Sequence, residues 1–256
     1  MTSEAETSDG FLGGRVLLYQ PGNGHRVGLD AAFLQATIPA EASGHLIEFG
    51  AGSGAVALAA AARAPNLTVI GIEREAEMVR LAKRALADPH NGEFSGRVRF
   101  LEGDVTAGRA AREALGLAEQ SADWLVMNPP FATAGHVRAA PDRLKAAAHV
   151  MDAGGIDAWV RSAAGLLKAR GRLALIHRAD ALAELVTTLA GRFGALTLLP
   201  LHPRAGEAAS RLIVTAIRGS KTPLCLLPGM ALHENDGAWT PAAADILTGR
   251  KVLPLW

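Results

Sequence analysis

The tetrapeptide Asn128-Pro129-Pro130-Phe131 directly follows the apolar run Trp124-Leu125-Val126-Met127, so a buried strand opens into a stiff, polar-tipped loop. Each proline fixes φ and lacks an amide hydrogen, and the loop therefore presents carbonyl acceptors with no donor at either position. Such a loop suits an amine. An exocyclic amine on a base would give its two hydrogens to the Asn128 side-chain oxygen and the Pro129 carbonyl while its ring stacks on Phe131. Taken alone, the same four residues are equally an ordinary turn after a strand.

A second group of residues lies upstream. Glu48-Phe49-Gly50-Ala51-Gly52-Ser53-Gly54 falls at a strand-to-helix junction, where glycines let the backbone turn sharply and come close to a ligand. The spacing Gly50, Gly52, Ala55, with Glu73 about 20 residues further on, also satisfies a dinucleotide fingerprint, which keeps a nicotinamide-dependent oxidoreductase open. Glu73 ends the next strand, Gly71-Ile72-Glu73, where its carboxylate can accept both hydroxyls of a ribose. Asp104, beside Val105 in Glu102-Gly103-Asp104-Val105, is placed either to accept from an adenine amino group or to cap the helix that follows. Glu48 points a further carboxylate at the same crevice.

The elements that must position these groups are legible from periodicity. Val16-Leu17-Leu18-Tyr19 and the turn-rich Gln20 to Gly24 read as a strand or hairpin feeding a helix from Asp30 to Thr37, capped by Asp30. Strands are expected at His45–Phe49, Leu67–Ile72, Val98–Leu101, Trp124–Met127, Arg172–His177, about Ala195–Leu201 and Arg211–Ile217. Helices are expected between them at Ala55–Ala64, Glu75–Ala87, Arg109–Leu117, Ile156–Ala169 and through Leu189. This alternation defines an α/β fold, a Rossmann-like, seven-stranded, mostly parallel sheet with helices on both faces. The link from Pro203 to Glu207 is too short for a crossover, so the last strand is antiparallel. Residues 1–10 read as a disordered leader, 11–44 as an N-terminal segment packing on the cofactor site, 45–218 as the core and 219–256 as a C-terminal extension of the same domain, closed by a helix near Ala242 to Leu247.

Composition narrows the class. At 256 residues and 49% apolar content, the chain has enough material for one large domain with an aliphatic core. No apolar stretch reaches the roughly 18 to 20 residues of a membrane helix, and the acidic start at Glu4, Glu6 and Asp9 is unlike a secretory signal, so a cytoplasmic protein is expected. The single cysteine, Cys225, lies between leucines and reads as a small core residue, and the histidines, including His25 and His202, have no metal-ligand spacing. Net charge is only +1, yet residues 161–218 hold 9 Lys or Arg against 3 Asp or Glu. That segment is either a footprint for a polyanion or a solvated face. The connection from Ala132 to Gly155 carries Arg138, Arg143, Lys145 and His149; it either closes over a substrate strand or is a helical insertion with solvated charges.

Glu48-x-Gly50-x-Gly52-x-Gly54, Glu73, Asp104 and Asn128-Pro129-Pro130-Phe131, at four successive strand ends, resemble the class I S-adenosylmethionine-dependent methyltransferases that modify amino groups. His25-Arg26-Val27-Gly28-Leu29-Asp30 and His202-Pro203-Arg204-Ala205-Gly206 are similar to the bacterial tRNA adenine methyltransferases acting on the 6-amino group of the adenine next to the anticodon of valine tRNA. The resemblance implies S-adenosylmethionine as methyl donor, held by Asp30, Glu48, Gly50, Gly52, Gly54, Glu73, Asp104, Val105 and Asn128. It implies that Asn128, Pro129 and Phe131 act on the target amine, and that tRNA or another nucleic acid is the partner. Pro130, Phe131, Arg138, Arg143 and Lys145 are the expected substrate contacts, and no metal is required. The same tetrapeptide serves relatives that methylate rRNA or DNA bases or a protein glutamine, so those amines stay open.

Overall fold

The computed structural model describes residues 6–22, 27–133, 150–151 and 154–256. The described chain begins with an antiparallel hairpin of β1 (Glu6–Phe11) and β2 (Val16–Pro21), with Glu6 opposite Pro21 and Phe11 opposite Val16. Of the leader expected over 1–10, residues 1–5 lie outside the described residues, and Glu6 to Gly10 belong to a strand. Its polar composition has a physical reason: the Glu6 carboxylate pairs with Arg80 and Arg84, and Asp9 accepts from Thr7 and Gln20. Helix α1 (Leu29–Gln35) starts one residue before Asp30, with Gly28 at the N-cap and no side-chain cap. The capping role expected of Asp30 is corrected accordingly, since a residue already inside the first turn cannot reach back to cap it.

The chain then alternates. Strand β3 (Ser43–Phe49) leads to α2 (Ala55–Arg63), β4 (Asn66–Glu73) to α3 (Ala76–Ala87) and the single-turn α4 (Gly92–Ser95), and β5 (Val98–Glu102) to α5 (Arg109–Ala114). After β6 (Ala122–Met127), the short strands β7 (Ala132–Thr133) and β8 (Val150–Met151) pair with each other outside the main sheet. Helix α6 (Gly155–Leu166), β9 (Leu167–Arg178), α7 (Leu182–Leu189), β10 (Phe193–Arg204) and β11 (Arg211–Arg218) complete the core. The main sheet runs β10-β11-β9-β6-β3-β4-β5, with β11 antiparallel to both neighbours and the remaining core pairs parallel. Seven strands with an antiparallel last one match the expectation.

Period-two alternation divides the strands between two cores. Leu46, Trp124, Val126, Ala174 and Ile176 face one layer with Phe33, Val56 and Leu58; Ile47, Phe49, Leu125, Met127, Leu173 and Leu175 face the other with Ile156, Trp159 and Leu185. Two boundaries differ from the periodicity. Helix α6 ends at Leu166, and Leu167 already pairs with Ala122 before Arg170 takes a left-handed φ of 66° and the register shifts ahead of Arg172. Periodicity alone assigns this irregular lead-in to the helix expected over Ile156–Ala169.

Residues beyond Arg218 extend the same sheet. Strands β12 (Cys225–Leu226) and β13 (Met230–His233) add in parallel to β10, and α8 (Pro241–Leu247) is capped by Thr240. Cys225 is exposed on that edge, a correction to its expected core position. The last residues return to α1: Leu253 donates to the Ala36 carbonyl at 2.8 Å, the Trp256 indole to the Thr37 carbonyl at 2.6 Å, and the Trp256 ring meets Trp124 edge-on at 5.3 Å. Among the described residues no helix is long and apolar enough to cross a membrane.

Candidate active site

Strand order reverses between β3 and β6, and an open α/β sheet offers its ligand crevice where the carboxyl ends of two such strands diverge. Register places the site residues side by side. Phe49 is opposite both Met127 and Ile72, so Gly50 is flanked by the positions of Asn128 and Glu73, roughly one strand spacing of 4.8 Å away on either side. A cavity of about 440 Å³ opens there. Asp30, Glu48, Gly50, Gly52, Glu73, Asp104, Val105, Asn128, Pro129, Pro130 and Phe131 all line it.

The glycine turn has φ of +67° at Gly50 and +53° at Gly52. A Cβ on Gly50 would come 3.0 Å from the Trp159 ring, so the turn must be bare for backbone and indole to share one wall. Gly54 is different. It does not line the cavity: it is the N-cap of α2, and its Cβ would fall 2.5 Å from Phe100. Gly54 thus packs against Phe100 at the head of a helix whose first residues, Ala55 and Val56, line the cavity.

Three carboxylates shape the floor. Glu48, 4% exposed, accepts from the Ala57 amide at 2.7 Å, in the first turn of α2. Burial pushes its carboxyl well above the ordinary value, the bond from Ala57 works against that, and the nearby charge of Glu73 adds to it. Glu73 accepts from the amides of Gly52 at 2.8 Å, Arg74 at 2.8 Å and Glu75 at 3.0 Å, which ties its strand end to the glycine turn. A carboxylate has about four acceptor sites, so one further donor can be taken without breaking these bonds. Asp104 accepts from the Thr106 amide and hydroxyl with one oxygen, both at 2.7 Å, and is exposed at the rim. The alternative that it caps α5 is set aside, since Gly108 holds that position.

Two buried polar atoms on this cavity have no hydrogen-bond partner among the described residues: Asn128 Oδ1 and Ser53 Oγ. An unmade bond of this kind costs about 1 to 3 kcal/mol, so each marks a place where a ligand donor would be rewarded. Phe131 stands beside them. The ring of His177 meets it edge-on at 5.0 Å, and the Arg211 guanidinium lies 5.0 Å from its centroid on an arm held by Asp30, with Nε to Oδ1 at 3.0 Å and to Oδ2 at 3.1 Å. His177 is 5% exposed, and burial lowers its pKa, keeping the ring neutral.

Sequence reasoning missed Ser53, Met78, Trp159 and Arg211, all of which line the cavity. Ser53, within the glycine motif, was the one available signal; the other three arrive from distant segments. Arg138, Arg143 and Lys145, with His25 and Arg26, lie outside the described residues. In the basic segment 161–218, Arg161, Lys168, Arg178, Arg192, Arg204 and Arg211 each pair with a carboxylate.

Sheet order, glycine turn and acidic strand ends together define a methyltransferase of the Rossmann-like class. Residues 24–200 match the methyltransferase small domain family, to which the chain belongs. A Porphyromonas gingivalis protein named tRNA1(Val) (adenine(37)-N6)-methyltransferase is 34% identical over 171 residues, which cover 65% of this chain and 64% of that protein. An Aeromonas hydrophila protein of the same name is 27% identical over 84% of this chain and 85% of its own length. Among solved structures, one titled as a predicted O-methyltransferase from Agrobacterium tumefaciens is 33% identical, with a TM-score of 0.74 over 88% of this chain and 98% of its own.

Proposed function

We propose that this chain transfers a methyl group from S-adenosylmethionine to an exocyclic amino group, namely the 6-amino group of an adenine in tRNA near the anticodon, and that it does so in the cytoplasm. The observation that carries this reading is Asn128 Oδ1, a buried acceptor with no partner among the described residues, next to a proline that has no amide to offer. An amine brings two hydrogens and needs two acceptors; the Asn128 oxygen and the Pro129 carbonyl supply them. The names of the Porphyromonas and Aeromonas relatives support the choice of adenine in tRNA.

The residues fit the methyl donor. Its ribose needs an acceptor, which Glu73 offers; its cationic centre suits a crevice lined by the carboxylates of Glu73 and Asp104; and the bare turn at Gly50 and Gly52 lets the backbone approach. When bound, S-adenosylmethionine would supply an electrophilic methyl on sulfur and leave as S-adenosylhomocysteine, and the methylated amine would give up one of its two protons to solvent. The adenine amine is a weak nucleophile because its lone pair is delocalised into the ring. Asn128 and Pro129 counter this by holding both hydrogens out of the ring plane, so the lone pair faces the donor, and Phe131 recovers stacking lost when the base leaves its neighbours. Neutral His177 packs behind Phe131 and fixes the tilt of its ring.

The test is transfer of labelled methyl to separate pools of tRNA, DNA and protein, followed by nucleoside analysis. Label in N6-methyladenosine from tRNA is expected; label only in protein, or only on a hydroxyl oxygen, overturns the reading.

A further inference from the structure

Arg211 opens β11, and because that strand is antiparallel, its first residue lies on the same edge of the sheet as the carboxyl ends of β6 and β9. Register places Arg211 opposite Arg178, one residue beyond His177. Its guanidinium therefore meets Phe131 on the wall of the cavity, 5.0 Å from the ring centroid. Asp30 grips the arm through Nε at 3.0 and 3.1 Å, joining segments 181 residues apart. Nothing in the fold of α1 requires this pair, since the helix already starts at Gly28 without a side-chain cap.

A guanidinium plane is as good a stacking surface for a nucleobase as an aromatic ring, and it adds attraction to the π-face. A base held between two planes needs two van der Waals contacts, or about 7 Å. The slot between Phe131 and Arg211 is 5.0 Å, so it is shut by about one side-chain rotation of a long, partly exposed arm. We propose that Phe131 and Arg211 are the two jaws of a slot that clamps the flipped target base, and that Asp30 sets the position of the Arg211 jaw. The base displaces Arg211 from Phe131 and takes both faces, which presents its edge to Asn128. Lysine at this position would keep the charge and the pairing with Asp30 but would lose the plane.

This inference rests on the reading that the target is a base. It is tested with the full chain, S-adenosylhomocysteine and a tRNA anticodon stem-loop carrying at the target position 8-vinyladenine, a fluorescent base that keeps the 6-amino group. The wild-type enzyme is expected to quench the 8-vinyladenine by stacking, and both Arg211→Ala and Arg211→Lys to leave it bright. In methylation assays on unmodified tRNA, KM for tRNA rises about tenfold in both variants, the loss expected for one stacked face. Affinity for S-adenosylhomocysteine, measured by calorimetry, stays within about twofold and reports intact folding. Wild-type KM and quenching in Arg211→Lys overturn the clamp, because the charge alone would then suffice. If the wild-type enzyme methylates no base at all, it is the proposed function that fails and not the clamp alone.

Discussion

Gly52 donates its amide hydrogen to Glu73 Oε2 at 2.8 Å, so the glycine turn after β3 and the acid ending β4 are one unit. The same carboxylate accepts from Arg74 and Glu75, which leaves one acceptor site facing the cavity for a ribose hydroxyl. Glu73→Gln removes the charge and swaps an acceptor for a donor. Calorimetric titration with S-adenosylhomocysteine should show Kd weaker by ten- to a hundredfold, the loss of one charge-assisted bond. Affinity within twofold of wild type would remove Glu73 from the donor site.

Glu48 makes stability depend on pH in a defined direction. Its folded pKa is raised well above 4.5 by burial, so between 4.5 and the raised value the folded state holds a proton that the unfolded state has lost. Its contribution is fully present below 4.5 and disappears as pH rises through the folded pKa. Glu48→Gln keeps an acceptor for the Ala57 amide and removes the titration. Across pH 5 to 8, the wild-type unfolding free energy from urea melts should fall relative to the variant, by up to about 1.4 kcal/mol per pH unit within the window. A constant difference would contradict the buried carboxyl.

Gly54 and Gly52 should separate stability from binding. Gly54→Ala drives a Cβ to 2.5 Å from Phe100 at a φ of +90°, and a loss of about 1 to 3 kcal/mol in denaturant melts is expected. Adding Phe100→Leu should recover part of it. Donor affinity of the folded fraction should be unchanged, since Gly54 faces the core.

Much of the site was legible before any coordinates. The strand ends at Gly50, Glu73, Asp104 and Asn128 each follow an apolar run, and a parallel sheet brings such ends to one edge. Spacing alone could not separate Gly54 from Gly50 and Gly52, because the deciding neighbour, Phe100, comes from β5. Arg211 was read as one cation in a basic run; its meaning lies in Asp30 and Phe131, which only the folded topology brings to it. Strand β1 escapes the sequence because the partners of Glu6, Arg80 and Arg84, are over 70 residues away. Strands β12 and β13 were too short for periodicity to register.

The C-terminal residues tie β11 to the end of α1. Leu253 and Leu255 are buried, and the Leu255 carbonyl accepts from Thr215 of β11 at 3.3 Å. Leu255→Ala should cost about 2 to 4 kcal/mol in urea unfolding, as for other buried leucines. A cost near zero would mean that this segment only lies on the surface.

The central claim is that the Asn128 side-chain oxygen binds an amine in the transition state. It is tested most directly by single-turnover methyl transfer to tRNA with Asn128→Ala, at saturating donor and tRNA. The rate should fall about a hundred- to a thousandfold, as when one preorganised hydrogen-bonding group is lost from an active site, while Kd for S-adenosylhomocysteine stays within about threefold. A rate within threefold of wild type would contradict it.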